Sequence, residues 1–236
     1  MSHKFARSAV IVLILAAPFV STTAGASTPN PLSILTKALS DGSHESSMTI
    51  SATFTGSGIN ASLVGGFSSK GNGGVTTLPG VGSEDIVTPV GKSYCFVKAS
   101  TLAVLSEILD VKTPTASEVG VWYEVPKSDP RYTSIASSGA QTVAESFSFT
   151  PVGWSRKATY GGTTVLRGVR VIKLEAASNL FASGSGFGKS TLYVTDTSNS
   201  LPFAMSGPAG TSGLVYFSKW GTTSVVFPTT TADLPK

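Results

Sequence analysis

The sequence predicts an α+β fold: a large curved antiparallel sheet, a half-barrel of about ten strands, covered on its concave face by a few short helices. Three observations predict it. Period-two alternation of apolar and polar residues recurs in short segments separated by glycine, proline and asparagine turns. The helical patterns are few and sit at the start and middle of the chain, so they interrupt the strands without alternating with them. One parity of the alternating segments is consistently apolar, which gives the sheet a greasy side and a polar side.

The chain opens with Lys4 and Arg7, an apolar run of 12 residues from Ala9 to Val20, and the small residues Ser21 to Ala26. This pattern reads as a secretory signal peptide over residues 1–26, with Ala24 and Ala26 at the recognition positions and cleavage before Ser27. A membrane span needs about 20 apolar residues, more than this run supplies. Residues 27–236 are then expected to form one domain. The single cysteine, Cys95, lies far past the cleavage site, so the expected product is extracytoplasmic and carries no thioether-linked lipid anchor.

After Pro29 and Pro31, Leu32, Leu35 and Leu39 fall at helical spacing and Gly42 stands where a helix stop belongs. Met48 to Phe54 and Ile59 to Leu63 alternate around a Gly56-Ser57-Gly58 turn and read as a hairpin. Val75 to Leu78, Asp85 to Val90 and Tyr94 to Lys98 continue the meander, broken by Gly71 to Gly74, Pro79-Gly80 and Gly91. Leu102, Leu105, Ile108 and Leu109 then share one helical face, Val121 to Pro126 reads as a strand, and a second helix is expected from about Asp129 to Phe147. Strands resume at Thr164 to Leu174, Thr191 to Thr195, Phe203 to Ser206, Leu214 to Ser218 and Ser224 to Phe227, before a tail expected to fray from Thr229.

Composition excludes more chemistry than it suggests. One cysteine and two histidines leave no disulfide scaffold and no clustered Cys/His metal site. Without Lys4 and Arg7, the 17 basic residues fall to 15 against 13 acidic, a net charge of +2 with no continuous basic stripe, so a nucleic-acid partner is not expected. His44 sits in a polar turn and no Gly-x-Ser-x-Gly elbow exists to make a hydrolase. Ser183 to Ser190 ends in Gly-Lys-Ser, but Ser183 replaces the leading glycine and a strand follows, so the run reads as a flexible turn. Glu84, Asp85, Glu107, Asp110 and Glu118 show no calcium-loop spacing and read as solvated surface. The Asn60-Ala61-Ser62 sequon lies inside a predicted strand and carries no weight. Cys95 reads as a packing residue, and no cofactor and no enzymatic activity are expected.

The inward parity comprises Met48, Ile50, Ala52 and Phe54, then Ile59 and Leu63, Ile172 and Leu174, Leu192 and Val194, and Phe203 and Met205. Ten strands make a face wider than three short helices can cover at about 10 Å each. Either the sheet curls until its helices close a dry core, or the helices act as a lid over an apolar cavity. In the second case the walls are these residues together with Phe96 and with Leu102, Leu105, Ile108 and Leu109 of the helix.

The order of a helix, a meander, an inserted helical pair and a second meander resembles the LolA-like lipid-carrier superfamily, and within it the actinobacterial LppX/LprG-type lipoproteins. The likeness is carried by Met48 to Phe67, by Gly91 to Lys98, by Val121 to Pro130, by Ser190 to Thr195 followed by Leu201-Pro202-Phe203, and by the closing segments Gly213 to Gly221 and Ser224 to Pro228. The resemblance implies a non-enzymatic protein that holds lipid acyl chains between sheet and helices. It implies a lipid or other acyl-chain amphiphile as partner, transient contact with a membrane surface, and a monomer. The alternative from another class is an exported interaction or structural module with a solidly packed core and a surface patch around Trp122, Trp154 or Trp220.

Overall fold

The computed structural model describes residues 29–56, 58–136, 158–176, 190–206 and 212–235. The export segment, residues 137–147 of the second expected helix, Trp154 and the Gly-Lys-Ser run up to residue 189 lie outside them. Helix α1 (Pro31–His44) leads into β1 (Ser47–Gly56), β2 (Ile59–Ser68), β3 (Gly71–Leu78), β4 (Gly82–Pro89) and β5 (Tyr94–Ala99). Helix α2 (Leu102–Leu109), a single 3₁₀ turn at Ala116–Glu118, β6 (Tyr123–Pro126) and the short α3 (Tyr132–Ala136) follow. The second meander is β7 (Thr159–Leu166), β8 (Val169–Ala176), β9 (Ser190–Thr195), β10 (Pro202–Ser206) and β11 (Leu214–Ser218).

All eleven strands join one open antiparallel sheet in the order β6-β5-β4-β3-β2-β1-β11-β10-β9-β8-β7, so two meanders meet where β1 pairs with β11. Residues directly opposite across a ladder share a face. The row Tyr123, Val97, Ile86, Gly74, Gly65, Ile50 and Phe217 therefore runs along one side, and Val215, Met205, Leu192, Leu174 and Tyr160 carry it to the far edge. Helices α1, α2 and α3 cover this inner face, which is the α+β half-barrel that the alternation predicts.

Several elements differ in detail, each for a local reason. Gly42 does not stop α1; it is buried inside the helix, where a Cβ would stand 3.3 Å from the Pro202 ring, and the helix ends at His44. Gly71 to Gly74 belong to β3 and do not break it. Thr164 to Leu174 divides into β7 and β8 at Arg167-Gly168, whose φ values of 48° and 79° suit a tight hairpin turn. Gly161-Gly162 lies at a register shift inside β7.

Ser224 to Phe227 is not a strand, and the chain beyond it does not fray. The Thr223 and Thr49 hydroxyls stand 2.8 Å apart, a Cβ on Gly66 would meet Thr223 at 2.9 Å, and one on Gly71 would meet the Phe227 ring at 2.8 Å. Farther on, Ala232 N–H donates to Trp122 O at 2.9 Å and Leu234 packs against the core beside β6. The segment is a strap across the outer face. Side-chain-free positions on β2 and β3 let it lie close, which is why glycine sits there inside strands.

Candidate ligand cavity

The inner face carries two separate cores. Under α1, Leu35, Ala38 and Leu39 pack on Met48, Ile50 and Ala52 of β1 and on Leu174, Leu192, Met205, Val215 and Phe217 of the second meander. At the other end, Val104, Leu105, Leu109 and Ile135 of α2 and α3 pack on Ile86, Cys95, Val97, Tyr123 and Val125. Cys95 is fully buried there and burial pushes its thiol up to about 12, which leaves it a packing group at neutral pH.

Helix α2 is fixed at both ends. Thr101 Oγ1 accepts the Val104 amide at 3.3 Å as the N-cap, and its hydroxyl donates to Val81 O at 2.9 Å. Ser83 N–H donates to Ser100 Oγ at 2.6 Å, so the first turn is tied to the β3–β4 hairpin. At the far end Arg131 Nη1 donates to Leu109 O at 2.8 Å while Asp129 accepts from Arg131 Nε at 2.9 Å and Nη2 at 2.7 Å. Hydrogen bonds from Arg131 hold the Asp129 carboxyl down at about 2. The bidentate pair locks the start of α3 to the end of α2.

Between these helices and the sheet lies a cavity of about 340 Å³, lined by Thr76 and Leu78 of β3, Gly82 and Glu84 of β4, Val104, Glu107 and Ile108 of α2, and Ser134 and Ile135 of α3. Leu78, Val104, Ile108 and Ile135 make it greasy. Its floor is polar, with the buried Thr76 Oγ1 directly across the ladder from the Glu84 carboxyl; four residues back on the same face of β3, the buried Asn72 Oδ1 has no hydrogen-bond partner among the described residues. Burial raises the Glu84 carboxyl above its usual range, and the nearby Glu107 charge pushes the same way. Asp85, one residue on, faces outward to Lys98 at 3.3 Å. The two adjacent acids thus serve opposite faces, and Glu84 is not solvated surface.

The structure divides the sequence-predicted wall residues. Met48, Ile50, Ala52, Leu63, Leu174, Leu192, Val194 and Met205 are buried in the core under α1, with Phe54 and Ile172 half-buried against it. Leu105 and Leu109 belong to the second core, and Ile108 lines the cavity. Leu102 is 43% exposed at the first position of α2. Phe96 points outward, because Val97 is the β5 residue in register with inward-facing Ile86, and it meets Tyr94 edge-on at 5.2 Å. A bulge between Pro202 and Ala204 moves Phe203 off Met205's face and onto Tyr216, at 5.9 Å between rings. The Ile59 side chain lies outside the described residues. Sequence reasoning missed Thr76, Leu78, Gly82, Glu84, Val104, Glu107, Ser134 and Ile135. The available signal was a lapse in the apolar parity at Thr76 and Glu84.

Elsewhere, His44 Nδ1–H donates to Ser40 O at 2.6 Å in the exposed last turn of α1. Among the described residues no three His, Cys, Asp or Glu side chains gather closely enough to hold a metal ion, and no helix is long and apolar enough to cross a membrane.

No protein-family model matches the sequence, nor does any curated protein. Solved structures do. LprF from Mycobacterium bovis matches over 87% of this chain and 99% of its own length with a TM-score of 0.53 at 14% identity. The Mycobacterium tuberculosis lipoprotein LppX matches over 85% of this chain and 100% of its own with a TM-score of 0.52, also at 14% identity. The fold is that of LprF and LppX. At such identity the likeness is one of architecture, and ligand contacts have to be read from this chain's own residues.

Proposed function

We propose that this protein is an exported, non-enzymatic lipid carrier of the LolA-like type, released from its leader before Ser27 as one domain, that holds an acyl chain between the inner sheet face and helices α2 and α3. The observation that carries the reading is the 340 Å³ cavity beside the packed core of α2 and α3. That volume lies at the low end of the range of about 300–1,000 Å³ for ligand pockets, which favours one chain over several. Leu78, Val104, Ile108 and Ile135 supply the hydrocarbon surface. Each methylene hidden from water contributes about 0.8 kcal/mol, so a chain of about 14 carbons gains roughly 11 kcal/mol before ordering costs. Burial of that size makes unassisted escape of such a lipid from a bilayer slow, and a cavity offering comparable burial lets it cross water without chemistry.

The polar floor narrows the ligand. Thr76 Oγ1, in the cavity wall, suits an uncharged hydrogen-bonding group on the amphiphile. The neighbouring Glu84 and Glu107 disfavour an anionic one. The competing reading, a solidly packed interaction module, is supported by the filled core under α1 and opposed by the cavity at the other end.

The test is organic extraction of the purified protein followed by mass spectrometry, with titration by a fluorescent fatty acid. We expect a co-purified acyl-chain lipid and saturable binding at about one chain per protein. Neither lipid nor binding would remove the carrier reading and leave the packed module.

A further inference from the structure

Three exposed apolar side chains lie on the β3–β4 turn and the start of α2 beside the cavity: Leu78 at 37%, Val81 at 44% and Leu102 at 43% exposure. Leu78 and Val81 flank the Pro79-Gly80 turn, closed by Val81 N–H donating to Leu78 O at 3.0 Å with Gly80 at a φ of 79°. The bond from Thr101 to Val81 O places Leu102, the next residue, beside this turn. Leu78 and the adjacent Gly82 also line the cavity, so the lip and the cavity wall are continuous. From Thr77 to Ser83 and from Ala99 to Ser106 the sequence contains no charged residue.

We propose that this lip, the β3–β4 turn with the first turn of α2, is a membrane-docking surface that seats in the hydrocarbon edge of a lipid bilayer. The inference rests on the carrier reading. A chain passing between bilayer and cavity stays out of water only if the lip bridges the two, and it is the lip that shares residues with the wall. Its neutrality fits that occupant, because a charge taken to acyl depth is costly. With no cation on the lip and Glu84 and Glu107 behind it, the attraction is hydrophobic. Docking therefore does not require anionic lipid and does not weaken with salt. Three side chains are also fewer than the 20–30 or so residues that each side of a stable protein interface presents.

The test places an environment-sensitive dye at Val81→Cys, the native thiol at Cys95 being buried, and at Val165→Cys on β7 as a control, 63% exposed. Phosphatidylcholine vesicles are expected to blue-shift the Val81 dye alone, equally at low and high salt. The double variant Val81→Asp with Leu102→Asp is expected to lose vesicle partitioning by at least about tenfold per residue. Val81→Asp alone should still load a monomeric fluorescent fatty acid from solution. No shift at Val81, or undiminished partitioning of the double variant, overturns the docking surface even if fatty acid loads normally. A wild-type dimer that the lip variants dissolve overturns it in favour of a second copy of the chain. A Val81 shift with no fatty-acid uptake instead leaves docking standing and removes the carrier reading.

Discussion

The two ends of the inner face are built from the same alternating strands yet closed in different ways. Under α1, cross-strand neighbours such as Ile50, Phe217, Met205, Leu192 and Leu174 all carry bulky apolar groups, and the helix lays Leu35, Ala38 and Leu39 directly on them. Under α2 and α3 the inward positions of β3 and β4 that line the cavity are Thr76, Leu78, Gly82 and Glu84, of which Leu78 alone is bulky and apolar, so the space between sheet and helix is not filled. Apolar periodicity marks where a protein is packed. A cavity lies where an inward row loses its bulk while the helix above it keeps its own support, here the N-cap at Thr101 and the Asp129–Arg131 clamp.

The largest expected effect separates the two ends by stability. Phe217→Ala should cost about 3–5 kcal/mol in denaturant unfolding, because it opens a hole in a full core, and should leave fatty-acid affinity of the folded fraction unchanged. Ile108→Trp should do the reverse, lowering affinity by about tenfold or more at near-native stability, since it fills space already empty. If both variants change both quantities together, the two ends are not independent.

A smaller effect sharpens the comparison by pH. The Glu84 carboxyl is raised in the folded protein, so the fold binds the proton more tightly than the unfolded chain does, and stability falls as pH rises above the ordinary carboxylate value of 4.5. Glu84→Gln should flatten that slope in unfolding curves between pH 4 and 8, with the raised Asp85 keeping part of it. Asp129 behaves oppositely. Its carboxyl, held at about 2, stabilises the clamp above its ordinary value of 3.8 and loses that contribution as pH falls through 2. Asp129→Asn should therefore be less stable than wild type at neutral pH and converge with it near pH 2. An unchanged slope in Glu84→Gln would place that carboxylate in water, outside the cavity.

Much of the architecture was legible in the sequence. Met48 to Phe54 and Leu102 to Leu109 carry their periodicities openly because each packs one face on a core. Gly71 to Gly74 misled because glycine in a strand looks like a turn until the strap that lies across it is known. Phe203 misled because one extra residue at a bulge reverses parity without any sign in composition. The cavity itself was less legible than its fold. Alternation tells which residues face inward, but whether they are plugged depends on how far the helices stand off, and that distance is set by tertiary ties such as Arg131 to Leu109 O.

The most direct measurement is photolabelling of the loaded protein with a diazirine-bearing fatty acid, followed by peptide mapping. The account predicts adducts in the segments 76–84, 104–108 and 134–135 and none in α1 or β8 to β11. Labelling concentrated under α1, around Leu39, Leu192 and Phe217, would contradict it.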